Sequence, residues 1–371
     1  MATQNKTVQE PLFHIAKRAE LPWWKSWIFR ILSVAASLIV CAVVTILLTG
    51  ENPLGVYATM VEGAVGTSRR VWSLLQNTAM LLCVSLAVTP AFKMKFWNIG
   101  AEGQVLIGGL ATATCMIFLG DKLPPLVLFP VMIIASMLAG AIWGVIPAIF
   151  KSIWNTNETL FTLMMNYIAI QLIDYFAYEW AVPKGSGTIG VINSTTKAGW
   201  FPAIAGKNYL LNIIIVVVLT LLMYVYLKHS KHGYEISVIG ESENTARYIG
   251  INVKKVIIRT MVISGAICGI AGLLLVSGTD HTITSETAAG RGFTAIMVSW
   301  LAKFNPIYMV LTSFLIVFLQ KGAVQISTIF GLNNSFSDII TGIIIFFIIG
   351  SEFFVNYKIK FRSSHKKGAN A

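Results

Sequence analysis

Long uncharged apolar runs, each about the 20 residues that a helix needs to cross a hydrocarbon layer, constrain this chain more than anything else in it. Six are clear, at 31–50, 71–92, 103–120, 123–150, 208–227 and 260–279. Four weaker ones complete the set: 159–182 carries Asp174 and Glu179 towards its far end, 292–302 is short, 304–320 is full length, and 335–351 starts beside Asp338. Of the 371 residues 56% are hydrophobic and 12% charged, against roughly a quarter charged in soluble domains. The fold class that follows is an all-α polytopic membrane protein with about ten transmembrane helices.

Ten crossings bring both ends to one face, and 20 of the 28 Lys and Arg residues fall on that face. By the positive-inside bias both tails are cytoplasmic: residues 1–27 form an N-terminal tail, 28–351 the membrane domain and 352–371 a basic C-terminal tail. The net charge of +12 is explained by this asymmetry without a nucleic-acid partner. Trp23, Trp24 and Trp27 suit an interfacial belt beside the first span. About 27 polar and basic residues precede that span, so it reads as a retained anchor rather than a cleaved signal. Cys41, Cys83, Cys115 and Cys268 lie in apolar runs at wide spacing and read as small core residues, not metal ligands.

The stretch FWNIGAEGQVLIGG at 96–109 sets Asn98, Glu102 and Gln104 among glycines at the mouth of a span. Ionisable groups in a membrane cost roughly 2.5 to 3.5 kcal/mol even on lenient scales, so they face a bundle interior, a partner or a wet path. Lys93 and Lys95 lie just upstream, and a snorkelling ion pair at the membrane edge is the plainer alternative for Glu102. Further on, residues 51–70 predict a short surface helix, and Pro147 is expected to kink or end the 123–150 span. The loop KSIWNTNETLFTLMMNY at 151–167 has Asn157 as a helix N-cap with Glu158 and Thr159 in the positive first turn. Capping explains these residues, and a surface gripped by a soluble partner explains them equally well.

Residues 183–207 make the longest external segment, and 228–259 the longest internal one, with a short helix expected near 241–248 before a turn at Gly250. Gly265, Gly269 and Gly272 form a small-residue helix face suited to close packing. In AGRGFTAIMVSWLAKFNP, 289–306, Arg291 sits between two glycines before a run too short to cross unaided. That is the mark of a broken or re-entrant helix, which is tolerated where it is buried in protein or lines a cavity. Spans two to five and seven to ten enter the membrane in opposite directions, and each group has its glycine-rich interruption between its first and second members, at 90–103 and 278–292. Matching interruptions in inverted repeats point to a transport site.

No G-x-x-x-x-G-K-[ST] is present, so the chain has no P-loop for ATP. HExxH and GxSxG are absent as well, and an enzyme has little support. NIGAEGQ at 98–104, NETLFTLMMNYIA at 157–169, ARYIGINVKK at 246–255, SGAICGIAG at 264–272 and GFTAIMVSWLAKFNP at 292–306 resemble, in family order, the permease subunit of bacterial nucleoside ABC importers that work with a basic-membrane-protein-type lipoprotein. These belong to the ribose and branched-chain amino-acid permease superfamily. The resemblance implies a second permease subunit, a cytoplasmic ATPase with two nucleotide-binding halves that uses the ATP, an external substrate-binding lipoprotein, and no cofactor bound by this chain. Trp300, Ala302, Lys303 and Leu274 depart from the usual family residues, which bears on the shape of the pocket.

The expected substrate path comprises Asn98, Glu102, Gln104, Arg291, Phe293, Thr294 and Trp300, with Trp300 deep and its ring suited to stacking on a base. Thr156, Asn157, Glu158, Thr159 and Arg247 are expected to couple to the ATPase. A permease for a simple sugar such as ribose and an ion-coupled secondary transporter are the alternatives.

Overall fold

The computed structural model describes residues 13–18, 22–204 and 206–361; the remaining tail residues, with the basic clusters read there, lie outside them. Among the described residues nine helices are long and apolar enough to cross a membrane. The chain divides into two compact units, 1–63 with 322–371, and 64–321.

In the first unit α1 (Trp23–Thr49) and α13 (Asn334–Asn356) pack side by side. Arg30 near the start of α1 donates to Glu352 near the end of α13, at 2.9 Å from Nε, so the two helices run antiparallel. Strands β1 (Phe13–Lys17) and β2 (Tyr357–Phe361) pair antiparallel just beyond them. The start of α1 and the end of α13 therefore share one membrane face. The predicted surface helix is α2, Pro53–Val65.

The second unit holds α3 (Ser68–Lys93), α4 (Ala101–Leu119), α5 (Pro125–Trp154), α6 (Glu158–Glu179), α7 (Leu210–His229), α8 (Lys231–Glu241), α9 (Glu243–Tyr248), α10 (Val253–Leu275) and α11 (Arg291–Leu301). Helix α12 (Pro306–Ile329) begins here and ends in the first unit. Helix α10 is central and packs on α3, α4 and α5. Its approach to two of them is backbone on backbone. A Cβ on Gly265 or Gly269 would overlap the carbonyl oxygens of Gly140 or Ser136 in α5, and one on Gly272 would overlap Val105 O and Gly109 N in α4. In lipid, where no hydrophobic force drives helices together, this small-residue contact is a main source of packing energy.

Three local features differ from the sequence-based expectation. Helix α5 runs unbroken through Pro130 and Pro147 to Trp154, and α3, whose sequence places its end at Pro90, continues to Lys93. A proline removes one ladder bond and adds one clash, but surrounding helices and local adjustments compensate within a membrane bundle. The segment after α7 carries an additional helix, α8, started by Ser230, whose side chain accepts from Gly233 N at 3.0 Å.

Candidate functional site

Two helices of the second unit begin inside the membrane rather than at its surface. The chain leaves α3 at Lys93 and turns through Lys95, whose φ is +62°. It then rises so that Asn98 Nδ2 reaches Ser264 Oγ at 3.2 Å, midway along α10. Helix α4 starts only at Ala101. Helix α11 has eleven residues, about 16 Å at 1.5 Å per residue, or roughly half of a 30 Å hydrocarbon core. Arg291 at its start bonds Asn77 in the first half of α3, with Nη2 to Oδ1 at 3.2 Å. Ser299 near its end bonds Ser85 O and Thr89 Oγ1 in the second half of α3, each at 3.1 Å. So α11 starts in the membrane interior and descends parallel to α3.

Helix starts expose unpaired N–H groups, and inside a membrane those must find protein acceptors. Around α4 they do. Asn166 of α6 accepts from Gly103 N at 2.9 Å and donates to Ile99 O at 2.9 Å, while Thr162 accepts from Ile99 N at 3.2 Å. Asn98 folds back to accept from Gly100 N at 3.1 Å and from Gln104 Nε2 at 3.2 Å. Side chains were the reason to single out Asn98 and Gln104; here both are buried and bonded to each other, and Asn98 also bonds α10.

Helix α11 is capped from another helix. Gly290, at φ +69°, forms its N-cap and has no side chain to offer. Glu102, in the first turn of α4, supplies both acceptors: Oε1 takes Gly290 N and Oε2 takes Gly292 N, each at 2.7 Å. The carboxylate thus sits at the positive ends of two helices at once. Gly292 is required for this, because a Cβ there would meet Glu102 N and Oε2. Arg291 turns away and donates to the carbonyls of Thr287 and Ala288 at 3.2 and 3.3 Å.

With one face of α11 held by Gly292, Ala295, Val298 and Ser299, all buried, its opposite face carries Phe293 and Trp300, 45% and 52% exposed. Trp300 was expected deep; it is half-exposed because it lies on that face. Its ring pairs with Trp97 at 5.6 Å between centroids, and Trp97 meets Phe92 edge-on at 5.8 Å. Thr294 Oγ1 bonds Gly290 O at 3.1 Å. The result is an aromatic surface on a half-helix.

Above α11 lies a polar group that periodicity did not single out. Gln76 Nε2 donates to Thr279 Oγ1 at 2.6 Å, and Asn212 Nδ2 reaches Leu274 O at 3.4 Å. Gln76 Oε1 and Asn212 Oδ1 are buried without partners. Polar residues within apolar runs at 71–92 and 208–227 were the available signal. The segment 183–207 closes over this end of α10: Ile192 N bonds His281 O at 2.8 Å, Phe201 N bonds Ser277 O at 3.0 Å, and the Trp200 ring stacks on His281 at 3.7 Å and 3°. Burial holds the His281 imidazole below its ordinary pKa.

At the start of α6, Asn157 caps the helix through Leu160 N at 3.2 Å, and Glu158 pairs with Lys151 at 2.9 Å. Thr156 and Thr159 are part-buried beside them. Arg247 pairs with Glu243 along α9 at 3.3 Å. Next to it Tyr248 is 93% exposed, and Ile249 is exposed too.

Over residues 70–349 the chain matches the family described as branched-chain amino acid transport system, permease component. It is similar to a glucose ABC transporter permease protein of Haloferax volcanii, 26% identical over 92% of each chain. It is also similar to a guanosine ABC transporter permease protein of Bacillus subtilis, 29% identical over 87% of this chain and 92% of that one. A nucleoside ABC transporter permease protein of Lactococcus lactis is 27% identical over 81% and 84%. No solved structure matches.

Proposed function

The chain belongs to this family of transport permeases, and from that premise we propose that it is the membrane-spanning permease subunit of an ATP-binding cassette importer carrying nucleosides across the cytoplasmic membrane. The observation that carries this reading is the aromatic face of α11. Phe293 and Trp300 stand uncovered on a helix that starts inside the membrane, where a flat base can stack on them. Base–aromatic stacking contributes on the order of 1 to 3 kcal/mol per base in single-strand binding proteins. Two of the similar permeases are those of guanosine and nucleoside transporters.

In this reading Asn98, Glu102 and Gln104 support the path by fixing where α4 and α11 begin, and Arg291 anchors the start of α11 to α3. Phe293, Thr294 and Trp300 face the cargo. The chain binds no cofactor of its own. A separate ATPase with two nucleotide-binding halves uses ATP on the cytoplasmic side, where both tails lie. A second permease subunit completes the path, and an external lipoprotein delivers substrate. The exposed tip of α9, with Tyr248 and Arg247, and the α5–α6 turn around Thr156, Asn157, Glu158 and Thr159 form the ATPase-facing surfaces.

Uptake of labelled nucleosides, glucose, ribose and branched-chain amino acids is measured in cells with the gene deleted and restored. Restored nucleoside uptake that vanadate blocks is the expected result. Restoration of glucose or ribose alone overturns the nucleoside reading, and uptake that collapses with the ion gradient but ignores vanadate overturns ATP-driven transport.

A further inference from the structure

Beside the turn that ends α11, where Phe304 meets the Trp300 ring edge-on at 6.5 Å, the second unit contains a cavity of about 430 Å³ at the membrane face where α7 ends. Three elements build its cationic lining: Lys93 ends α3, Lys228 lies in the last turn of α7, and Lys303 sits in the turn between α11 and α12. No carboxylate is among the described residues lining it. Tyr224, Tyr234 and Ser237 also line it, the Ser237 hydroxyl donating to Gly233 O at 2.9 Å. Lys228 Nζ donates to Tyr224 Oη at 3.0 Å, which sets an ammonium beside a phenol at the rim.

The backbone that presents Lys303 is unusual. Lys303 and Phe304 are consecutive left-handed residues, at φ +50° and +58°, a region that non-glycine residues enter uncommonly. The turn is held by Phe304 N to Ser299 O at 2.9 Å and Lys303 N to Trp300 O at 3.0 Å. A strained conformation that surrounding bonds maintain is a mark of functional positions.

Further along α7 and α12, beyond the cavity lining, the surface is mostly apolar and uncovered. Leu221, Leu222 and Val225 on α7 and Ile307, Tyr308 and Leu311 on α12 are all more than half exposed. These residues belong to membrane spans. A site with cations and hydroxyls at the interface, continued by bare aliphatic faces into the hydrocarbon, has the chemistry of a phospholipid with an anionic head. Basic pockets between transmembrane helices are the recognised setting for such heads.

We propose that this cavity binds the headgroup of an anionic phospholipid, with Lys93, Lys228 and Lys303 around the phosphate and the acyl chains lying on α7 and α12. The lipid joins the ends of α3, α7 and α11, so its binding stabilises the turn that follows the half-helix. The site does not depend on which substrate the permease carries.

The test is native mass spectrometry of the full-length chain in detergent, titrated with phosphatidylglycerol or phosphatidylcholine. The expected result is at least tenfold tighter retention of phosphatidylglycerol, weakened roughly fivefold per lysine removed in Lys93→Gln, Lys228→Gln and Lys303→Gln and kept by the three Lys→Arg changes. Single variants that elute as monodisperse species keep the comparison valid where the triple change fails to fold. Equal retention of the two lipids, or unchanged phosphatidylglycerol binding by the Gln variants, overturns the proposal. Displacement of phosphatidylglycerol by an equal concentration of glycerol phosphate or inorganic phosphate assigns the cavity to a soluble anion instead. Gln variants that retain the lipid but lose co-purification with the ATPase subunit assign it to that partner.

Discussion

Glu102 performs for α11 a task that no residue of α11 can, because the N-cap is a glycine held at φ +69°. A net contribution of about 1.5 to 3 kcal/mol is usual for a hydrogen bond to a charged group, and Glu102 makes two. Glu102→Gln keeps the shape but turns one acceptor into a donor that faces a backbone N–H. We expect a loss of about 2 to 4 kcal/mol, seen as a lower Tm in detergent, with nucleoside uptake reduced at equal membrane abundance; an unchanged Tm refutes the capping role. His281 gives a pH test. Its pKa is lowered in the folded state by burial against the loop, so the folded chain binds fewer protons than the unfolded one below pH 6.5 or so. The stability it contributes is complete above that value and is lost as pH falls through the folded pKa. His281→Gln should flatten the acid limb of a Tm–pH curve, and an identical limb counts against it. Sequence spacing drew attention to Glu102 as a costly polar group, but not to its partners. Those are backbone N–H groups 188 and 190 residues away, and a backbone donor leaves no trace in the residue type.

At the level of elements, the runs of apolar residues located nearly every helix, since in a membrane length and hydropathy decide the matter. The exceptions were prolines inside α3 and α5 and the helix α8, where tertiary support or a polar surface decides instead. The small-residue face of α10 was visible in the spacing of Gly265, Gly269 and Gly272, while its two separate partners, α4 and α5, became known only from the fold. Gly269→Ala drives a methyl into Ser136 O, and overpacking of this kind costs about 1 to 3 kcal/mol. Lower yield of folded protein and a reduced Tm are expected, whereas Gly55→Ala, with open space around the position, should change neither. The aromatic pair behaves differently. Trp97 and Trp300 touch at 5.6 Å and are half-exposed, so Trp300→Ala and Trp97→Ala should each raise the KM for nucleoside uptake several-fold with little effect on Tm. Equal KM values in wild type and both variants would remove the stacking surface from the path.

For the whole molecule, the proposed importer requires a push from a soluble ATPase to reach a half-helix inside the membrane. Two surfaces of the second unit are available. One is the α5–α6 turn, where Ile153, Trp154 and Leu160 are exposed beside the Asn157 cap. The other is the α9 tip, where Tyr248 is 93% exposed on a six-residue helix started by Ser242. The first leads directly inward: α6 carries Thr162 and Asn166, which fix the start of α4, and α4 carries Glu102, which fixes the start of α11. A rigid displacement of α6 therefore reaches the aromatic face through hydrogen bonds alone, without a flexible intermediate. The second leads through α8 to α3, where Gly240 packs on Lys93 O. Single cysteines at positions 157 and 248, crosslinked to the ATPase subunit in membranes, report on docking at each surface. We expect crosslinks from both, and we expect Asn166→Ala to leave them intact while uncoupling ATP hydrolysis from uptake, because Asn166 transmits the motion rather than receiving it. Normal coupling in Asn166→Ala would break the proposed route from α6 to α11 even with docking confirmed.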